Sequence, residues 1–175
     1  MRRLMLLRHA KSDWSTPGAH DRDRVLAERG RESAPKIGSY MTRHALRPDL
    51  ILASTATRVR QTVDLLLPAF AKAPETVYDD RLYEVEGKTL LDVIKETPAD
   101  VHALMLVGHN PGIAELAELL IGTGDVEMRQ RLLEKFPTAG LAVIDFPLDD
   151  WRKLHPKAGR LDRFVVPRAI ERAAD

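Results

Sequence analysis

Leu4-Met5-Leu6-Leu7-Arg8-His9-Ala10-Lys11-Ser12 is the stretch on which the reading of the chain turns. Four apolar residues run directly into an arginine, a histidine and then polar sequence. A run so short and so apolar suits a buried parallel strand, with Arg8 and His9 at its carboxyl end. Ligands of open α/β sheets bind just outside the carboxyl ends of the strands. A histidine placed there beside a fixed cation can attack phosphorus. It can equally be a hydrogen-bonded core residue, and Arg-His is too common a pair to decide between them. The choice therefore rests on what the other strand ends carry.

Two further strands end in the same manner. Asp49-Leu50-Ile51-Leu52-Ala53, set up by Pro48, leads into Ser54-Thr55-Ala56-Thr57-Arg58. A helix continues from there with Val59, Val63, Leu66 and Phe70 on its inner face, and Pro68 ends or kinks it. Leu104-Met105-Leu106-Val107 runs into Gly108-His109-Asn110-Pro111-Gly112. Asn110 suits an N-cap, Pro111 the first helical position, and Ile113, Leu116, Ala117 and Leu120 a buried stripe. Parallel strands of one sheet bring these ends to one edge, so Arg8, His9, Arg58 and His109 can converge. A gathering of cations near a helix N-terminus is what a phosphate dianion requires.

The remaining segments are read more simply. Asp13 to Arg24 is polar, carries Pro17-Gly18 and reads as a loop. Within it, Asp21-Arg22-Asp23-Arg24-Val25 matches the D-x-D-x-[TV] pattern of aspartyl-phosphate phosphatases. That chemistry needs a hydrophobic strand before the first aspartate, and Thr16-Pro17-Gly18-Ala19-His20 cannot be one, so the match is ascribed to chance. Ala34, Ile37 and Met41 predict a helix face, and Pro35 predicts that this helix begins around Ser33 or bends there. Thr76–Tyr78 reads as a short strand, Asp79–Gly87 as a loop and Leu90–Glu96 as a modest helix. Leu141–Phe146 and Phe164–Val166 complete the strands, and Ala169–Asp175 is expected as a short helix or frayed tail. With no repeat or linker, residues 1–175 read as one domain. Alternating β and α segments predict a three-layer α/β/α sandwich with a mostly parallel central sheet.

Composition narrows the function. The chain has 175 residues, 44% of them hydrophobic, enough for a sizeable core. Its 27 basic and 26 acidic side chains leave a net charge of +1, which gives no reason to invoke nucleic acid or a membrane surface. It contains no cysteine, so disulfides, zinc-thiolate sites and cysteine nucleophiles are excluded. No apolar run approaches a membrane span. The apolar run after Met1-Arg2-Arg3 is too short for a signal peptide, so a cytoplasmic location is expected.

Arg8-His9-Ala10 resembles the R-H-[GA] signature of the histidine phosphatase (phosphoglycerate mutase-like) superfamily. Gly108-His109-Asn110-Pro111-Gly112, Arg58 and the Asp21-x-x-Arg24-x-Leu26…Arg29-Gly30 pattern add to the likeness. With Arg8-His9-Ala10-Lys11-Ser12-Asp13-Trp14 they are similar to the bacterial SixA-type phosphohistidine phosphatases, over roughly residues 3 to 151. Val25 stands where that group usually has proline, and Ser15 where many superfamily members carry a phosphate-binding asparagine. The resemblance implies a metal-independent phosphohydrolase without a cofactor, in which His9 is the nucleophile that becomes phosphorylated. Arg8, Arg58, His109 and, by position, Ser15 would bind the phosphoryl group. In ester-cleaving members an acid from the loop after the third strand protonates the leaving oxygen. Glu84 is the nearest candidate, with Asp80 and Glu86 as rivals. The short path from Tyr83 to the next strand leaves no room for a large cap insertion, which implies an open site suited to a protein-borne phosphoryl group.

The residues support the same chemistry independently. Arg8 and Arg58 should disfavour protonation of His9 and leave a lone pair for attack. They can also bridge the equatorial oxygens, where charge gathers in a loose phosphoryl transition state, and His109 would donate a further hydrogen bond there. His20, His44, His102 and His155 read as surface residues, and Trp14 and Trp151 as packing. Lys11 reads as either substrate-facing or solvated. Two classes of function stay open: a phosphohydrolase acting on a phosphohistidine-bearing protein or a small phosphomonoester, and a non-catalytic phosphoprotein-binding module using the same pocket. The expected state is a monomer or weak dimer.

Overall fold

The structure is a computed structural model that describes residues 1–174, with side chains described through Glu171. Strand β1 (Arg2–Arg8) is followed by helix α1 (Glu28–Arg43), β2 (Leu50–Ala53) and α2 (Thr57–Leu66). Next come β3 (Glu75–Tyr78), α3 (Gly87–Ile94), β4 (Ala103–Gly108), α4 (Gly112–Leu120) and β5 (Ile121–Gly124). The chain closes with α5 (Val126–Glu134), β6 (Leu141–Phe146), β7 (Gly159–Val165) and α6 (Pro167–Ala174). The seven strands form one sheet in the order β3-β2-β4-β1-β6-β7-β5. The strands from β3 to β1 in that order are parallel, β6 opposes both β1 and β7, and β5 is parallel to β7. The mostly parallel three-layer sandwich predicted by the alternation is the fold observed.

Alternation along the central strands builds two separate cores. Leu4, Leu6, Leu104 and Leu106 face one cluster with α3 and α4. Met5, Leu7, Met105 and Val107 face another with α1 and α2. Being covered on both faces is why these strands read as continuous apolar runs rather than alternating ones. Register then sets the functional edge: Arg8 pairs with Gly108, and Ala53 with Val107. Residues 9, 54 and 109 therefore leave the sheet side by side.

Several local expectations are corrected. Helix α1 starts at Glu28, not around Ser33, and Pro35 lies inside it. Proline's fixed φ is already helical, so its cost is a lost hydrogen bond and a steric clash, here outweighed by the burial of Ala34, Ile37 and Met41. A Cβ on Gly30 would lie 2.2 Å from the Lys11 carbonyl oxygen, so glycine alone lets α1 start against the loop after β1. Strand β7 begins at Gly159, five residues before the predicted Phe164, because Arg160, Asp162 and Arg163 hide its pattern. Helix α5 and strand β5 escaped the reading altogether. Leu132 is the one buried residue of α5, so it has no stripe to read, and β5 is Ile-Gly-Thr-Gly. Helix α6 covers the expected C-terminal helix, of which Asp175 lies outside the described residues. No described helix is long and apolar enough to cross a membrane.

Trp151 is fully buried, and its indole Nε1–H donates to the Val101 carbonyl at 2.7 Å. Trp151→Phe should lower unfolding stability by roughly 2–4 kcal/mol, through a void and an unpaired carbonyl, without touching the sheet edge where His9 lies. Urea denaturation checks this; an unchanged midpoint would show that the ring is not part of the core.

Candidate active site

His9 follows β1 directly and is 6% exposed. Its Nδ1 lies 2.7 Å from the Ala10 carbonyl oxygen, which can only accept, so the ring proton is on Nδ1. Nε2 is left bare, on a ring that lines a cavity of about 620 Å³. The loop after it is tied to α2: the Thr62 hydroxyl accepts from the Ala10 amide at 3.1 Å and donates to the Arg58 carbonyl at 2.7 Å.

Arg58, in the first turn of α2, is 1% exposed. Its Nη1 donates to the Asp21 carbonyl at 2.7 Å. Its Nη2 reaches Glu84 Oε1 at 2.6 Å, Asp21 Oδ2 at 3.1 Å and His109 Nδ1 at 3.2 Å. A guanidinium can only donate, so His109 accepts at Nδ1 and its proton is on Nε2, 2.8 Å from the buried Ser54 hydroxyl. His9 and His109 thus hold opposite tautomers, their rings edge-to-face at 5.4 Å. His109 was expected to donate toward phosphate; here its cavity-side nitrogen is an acceptor for Arg58. The carboxylates that pair Arg58 come from positions 21 and 84, too distant in sequence to be seen beside it.

Two more arginines complete the cationic wall. Arg8 donates to the Phe136 carbonyl at 3.0 Å and has no carboxylate in ion-pair contact among the described residues. Arg24, quoted in the sequence only as part of a pattern, pairs with Asp21 Oδ1 at 2.8 Å and stacks over Trp14 at 3.5 Å. Asp21 is thus shared by Arg24, Arg58 and the Tyr83 hydroxyl. Its D-x-D match carries no aspartyl nucleophile, since Asp21 opens a short 3-10 turn and follows no strand.

Burial is the largest cause of the acidity of both histidines, with neighbouring cationic groups adding to it. It pushes His9 down to about 4, helped by Arg58, Arg8 and Arg24 and opposed by the Ala10 hydrogen bond. Burial, then His9 and Arg58, push His109 down to about 3, with Asp21 opposing. Burial also lowers Arg8. For Asp21, burial acts to raise the carboxyl, but the Tyr83 hydrogen bond and the Arg58 and Arg24 charges outweigh it and the group is lowered. At neutral pH both imidazoles are neutral.

Arg8, His9, Arg58, Glu84 and His109 all line the one cavity. Ser15 does not; its amide donates to Asp13 Oδ1, and the aliphatic hydroxyl side chains lining the cavity are those of Ser12 and Thr138. Of the three carboxylates considered after β3, only Glu84 lines it. Asp80 is turned to Arg22 and Thr55 at 2.8 and 2.5 Å, and Glu86 flanks the start of α3. Glu84 has φ of +49°, a left-handed conformation uncommon for a side-chain-bearing residue. Its loop is pinned by Gly112, whose Cβ would lie 2.2 Å from the Val85 carbonyl oxygen. Asn110 acts one residue earlier than expected: α4 begins at Gly112, and Asn110 Oδ1 accepts from the Ala114 amide. His20, His44, His102 and His155 are exposed. Lys11 is exposed and lines the cavity. Trp14 is not packing, being 73% exposed.

Residues 4–120 match the family model of the histidine phosphatase superfamily (branch 1). The chain belongs to the histidine phosphatase superfamily. It is 37% identical to an uncharacterized protein of Mycobacterium tuberculosis over 93% of this chain and 100% of that one. The crystal structure of the "putative phosphohistidine phosphatase SixA" from Agrobacterium tumefaciens superposes with a TM-score of 0.80 at 38% identity, over 95% of this chain and 98% of that one. A protein histidine phosphatase SixA complexed with tungstate shares the fold, with a TM-score of 0.71 at 16% identity over 96% of this chain and 99% of that one. The superfamily is one of phosphatases, and this member is SixA-like, with no large insertion in the fold.

The acidity of the two histidines links the pocket to stability. Both sit below the ordinary histidine value of 6.5 in the folded chain, so on acidification the unfolded chain binds protons that the pocket refuses. Stability should hold above about pH 6.5 and decline as pH falls toward 4, by roughly 3 kcal/mol for His9 alone. Imidazole C2–H signals followed by NMR should titrate near 4 for His9 and near 3 for His109. A His9 midpoint near 6.5 would show that its ring is solvated.

Proposed function

We propose that this chain is a phosphohydrolase that works through a phosphorylated His9 and takes its phosphoryl group from phosphohistidine on a protein. The observation that carries this reading is His9 itself: a neutral, nearly buried imidazole with Nδ1 committed to Ala10 and a bare Nε2 among three arginines. Nε2 forms the new P–N bond as the bond to the substrate's imidazole breaks. The departing ring keeps the electron pair and leaves neutral, having carried a proton on its other nitrogen. Water then hydrolyses the phospho-His9 intermediate. Arg8 and Arg58 stabilise the equatorial oxygens in both steps, so the charge needed is supplied by side chains.

Two features favour a protein substrate. Between Tyr83 and Ala103 the chain holds little beyond α3, so this segment supplies no cap over the cavity against a folded partner. The Agrobacterium tumefaciens protein of 38% identity bears the phosphohistidine phosphatase name. In this reading the partner is a phosphohistidine-bearing phosphotransfer domain. A second reading, a small phosphomonoester, is favoured by the Glu84 carboxylate at the cavity, because an alkoxide must be protonated to leave. A 107-residue match at 32% identity to a phosphoserine phosphatase 1 of Hydrogenobacter thermophilus, over 57% of this chain, points the same way.

Incubation with labelled phosphohistidine protein followed by rapid quenching should trap acid-labile, base-stable label on the wild type and none on His9→Ala. Label on a serine or aspartate would end the assignment, and binding without turnover would make the chain a phosphoprotein-binding module.

Glu84 separates the two substrate classes. Glu84→Gln should lower hydrolysis of an alkyl phosphate by about 10²–10⁴ while changing phosphohistidine dephosphorylation little, because imidazole can leave already protonated. The readout is the ratio of the two kcat/KM values, with Asp80→Asn and Glu86→Gln as controls. An equal loss on both substrates would mean that Glu84 serves to hold Arg58.

A further inference from the structure

Trp14 is a large apolar side chain left 73% exposed while lining the cavity of the proposed phosphatase site. A lone exposed tryptophan needs no explanation, but this one is held in place. Arg24 lies over one face of the indole at 3.5 Å, and Arg24 is itself only 11% exposed. Its Nη2 pairs with Asp21 Oδ1 at 2.8 Å, while Asp21 Oδ2 is 3.1 Å from Arg58 in the cationic wall. The ring is thus fastened through two ion pairs to a group proposed to hold phosphate, and its second face is open. Tyr83, the other large aromatic of the lining, has no such face: Arg22 lies over it at 4.2 Å and His109 meets it edge-on at 5.3 Å.

We propose that the open face of Trp14 is the platform on which the leaving imidazole of phosphohistidine stacks, making Trp14 a determinant of specificity for flat, aromatic leaving groups. This rests on the phosphohydrolase reading above and extends it. In-line transfer puts the leaving ring on the side of phosphorus away from the attacking nitrogen. His9 is 6% exposed and lies at the floor, so the leaving ring comes out toward the mouth, where the exposed indole is. In phosphohistidine the ring is bonded directly to phosphorus, so it has to lie beside the phosphoryl cradle. Aromatic rings in contact prefer offset-stacked or edge-on packing, which a clamped indole offers without having to be ordered on binding. An alkyl leaving group has no π face to present.

The test compares two P–N compounds that differ in the ring: phosphoimidazole and phosphoramidate. Trp14→Ala should lower kcat/KM on phosphoimidazole about tenfold, equivalent to about 1.4 kcal/mol, and change phosphoramidate hydrolysis by less than about twofold. Trp14→Phe, which keeps a π face, should recover most of the loss. An equal loss on both compounds would show that Trp14 acts only by seating Arg24, and no loss on either would remove it from the site; each overturns the platform. Binding is read separately in His9→Ala, where phosphoimidazole should quench indole fluorescence and phosphoramidate should not. In the same background with Trp14→Phe, only the buried Trp151 remains and the quench should vanish. Failure of the wild type to hydrolyse either compound would count against the phosphohydrolase reading, while the fluorescence arm would still decide the platform: no quench overturns it.

Discussion

The site depends on one buried cation. Arg58 is 1% exposed, and an isolated charge so placed would be costly, several kcal/mol even after relaxation. It is tolerated because Asp21 and Glu84 pair with it and the Asp21 carbonyl and His109 Nδ1 accept further hydrogen bonds from its Nη groups. Each partner arrives from a different segment: the loop after β1, the loop after β3 and the end of β4. Arg58 therefore gathers three loops that the sheet alone would leave independent, and it imposes the tautomer of His109 as it does so.

The same cation divides the labour of the two histidines. An acceptor role at His109 Nδ1 sends that ring's proton to Ser54, and the Ala10 carbonyl holds the His9 proton on Nδ1. Both rings are kept neutral chiefly by burial, with the arginines adding to it. A neutral His9 is what nucleophilic attack requires, and a cationic wall around it is what a phosphoryl dianion requires. These demands usually conflict, since anions that balance the wall would also favour protonating the nucleophile. Here Asp21 and Glu84 contact Arg58, Arg24 and His109, and no ion pair to His9 is formed among the described residues.

How much of this was legible in the sequence follows from where the signal lies. Apolar runs buried on both sheet faces announce β1, β2 and β4, and a charged or polar residue ending each run announces the edge where His9, Arg58 and His109 meet. Those are local properties of the chain. Helix α5 and strand β5 left no such trace, because almost nothing in them is buried, and Pro35 did not mark the start of α1 because the packing that outweighs its helix penalty is not local.

The sequence by itself determined the α/β architecture and the strand ends at which His9, Arg58 and His109 gather, since both follow from hydrophobic runs and from what ends them. Tertiary structure decided the rest. Only folding could reveal that Asp21 and Arg24, from a polar loop, line the cavity, that Ser15 does not, and that Glu84 is the one of three nearby carboxylates lining it. Only folding could place Trp14 at the mouth with Arg24 stacked on one face. The physical reason is common to all of these. Which charge pairs with which, and which ring keeps a bare face, are set by contacts between segments many residues apart, and no local pattern encodes them.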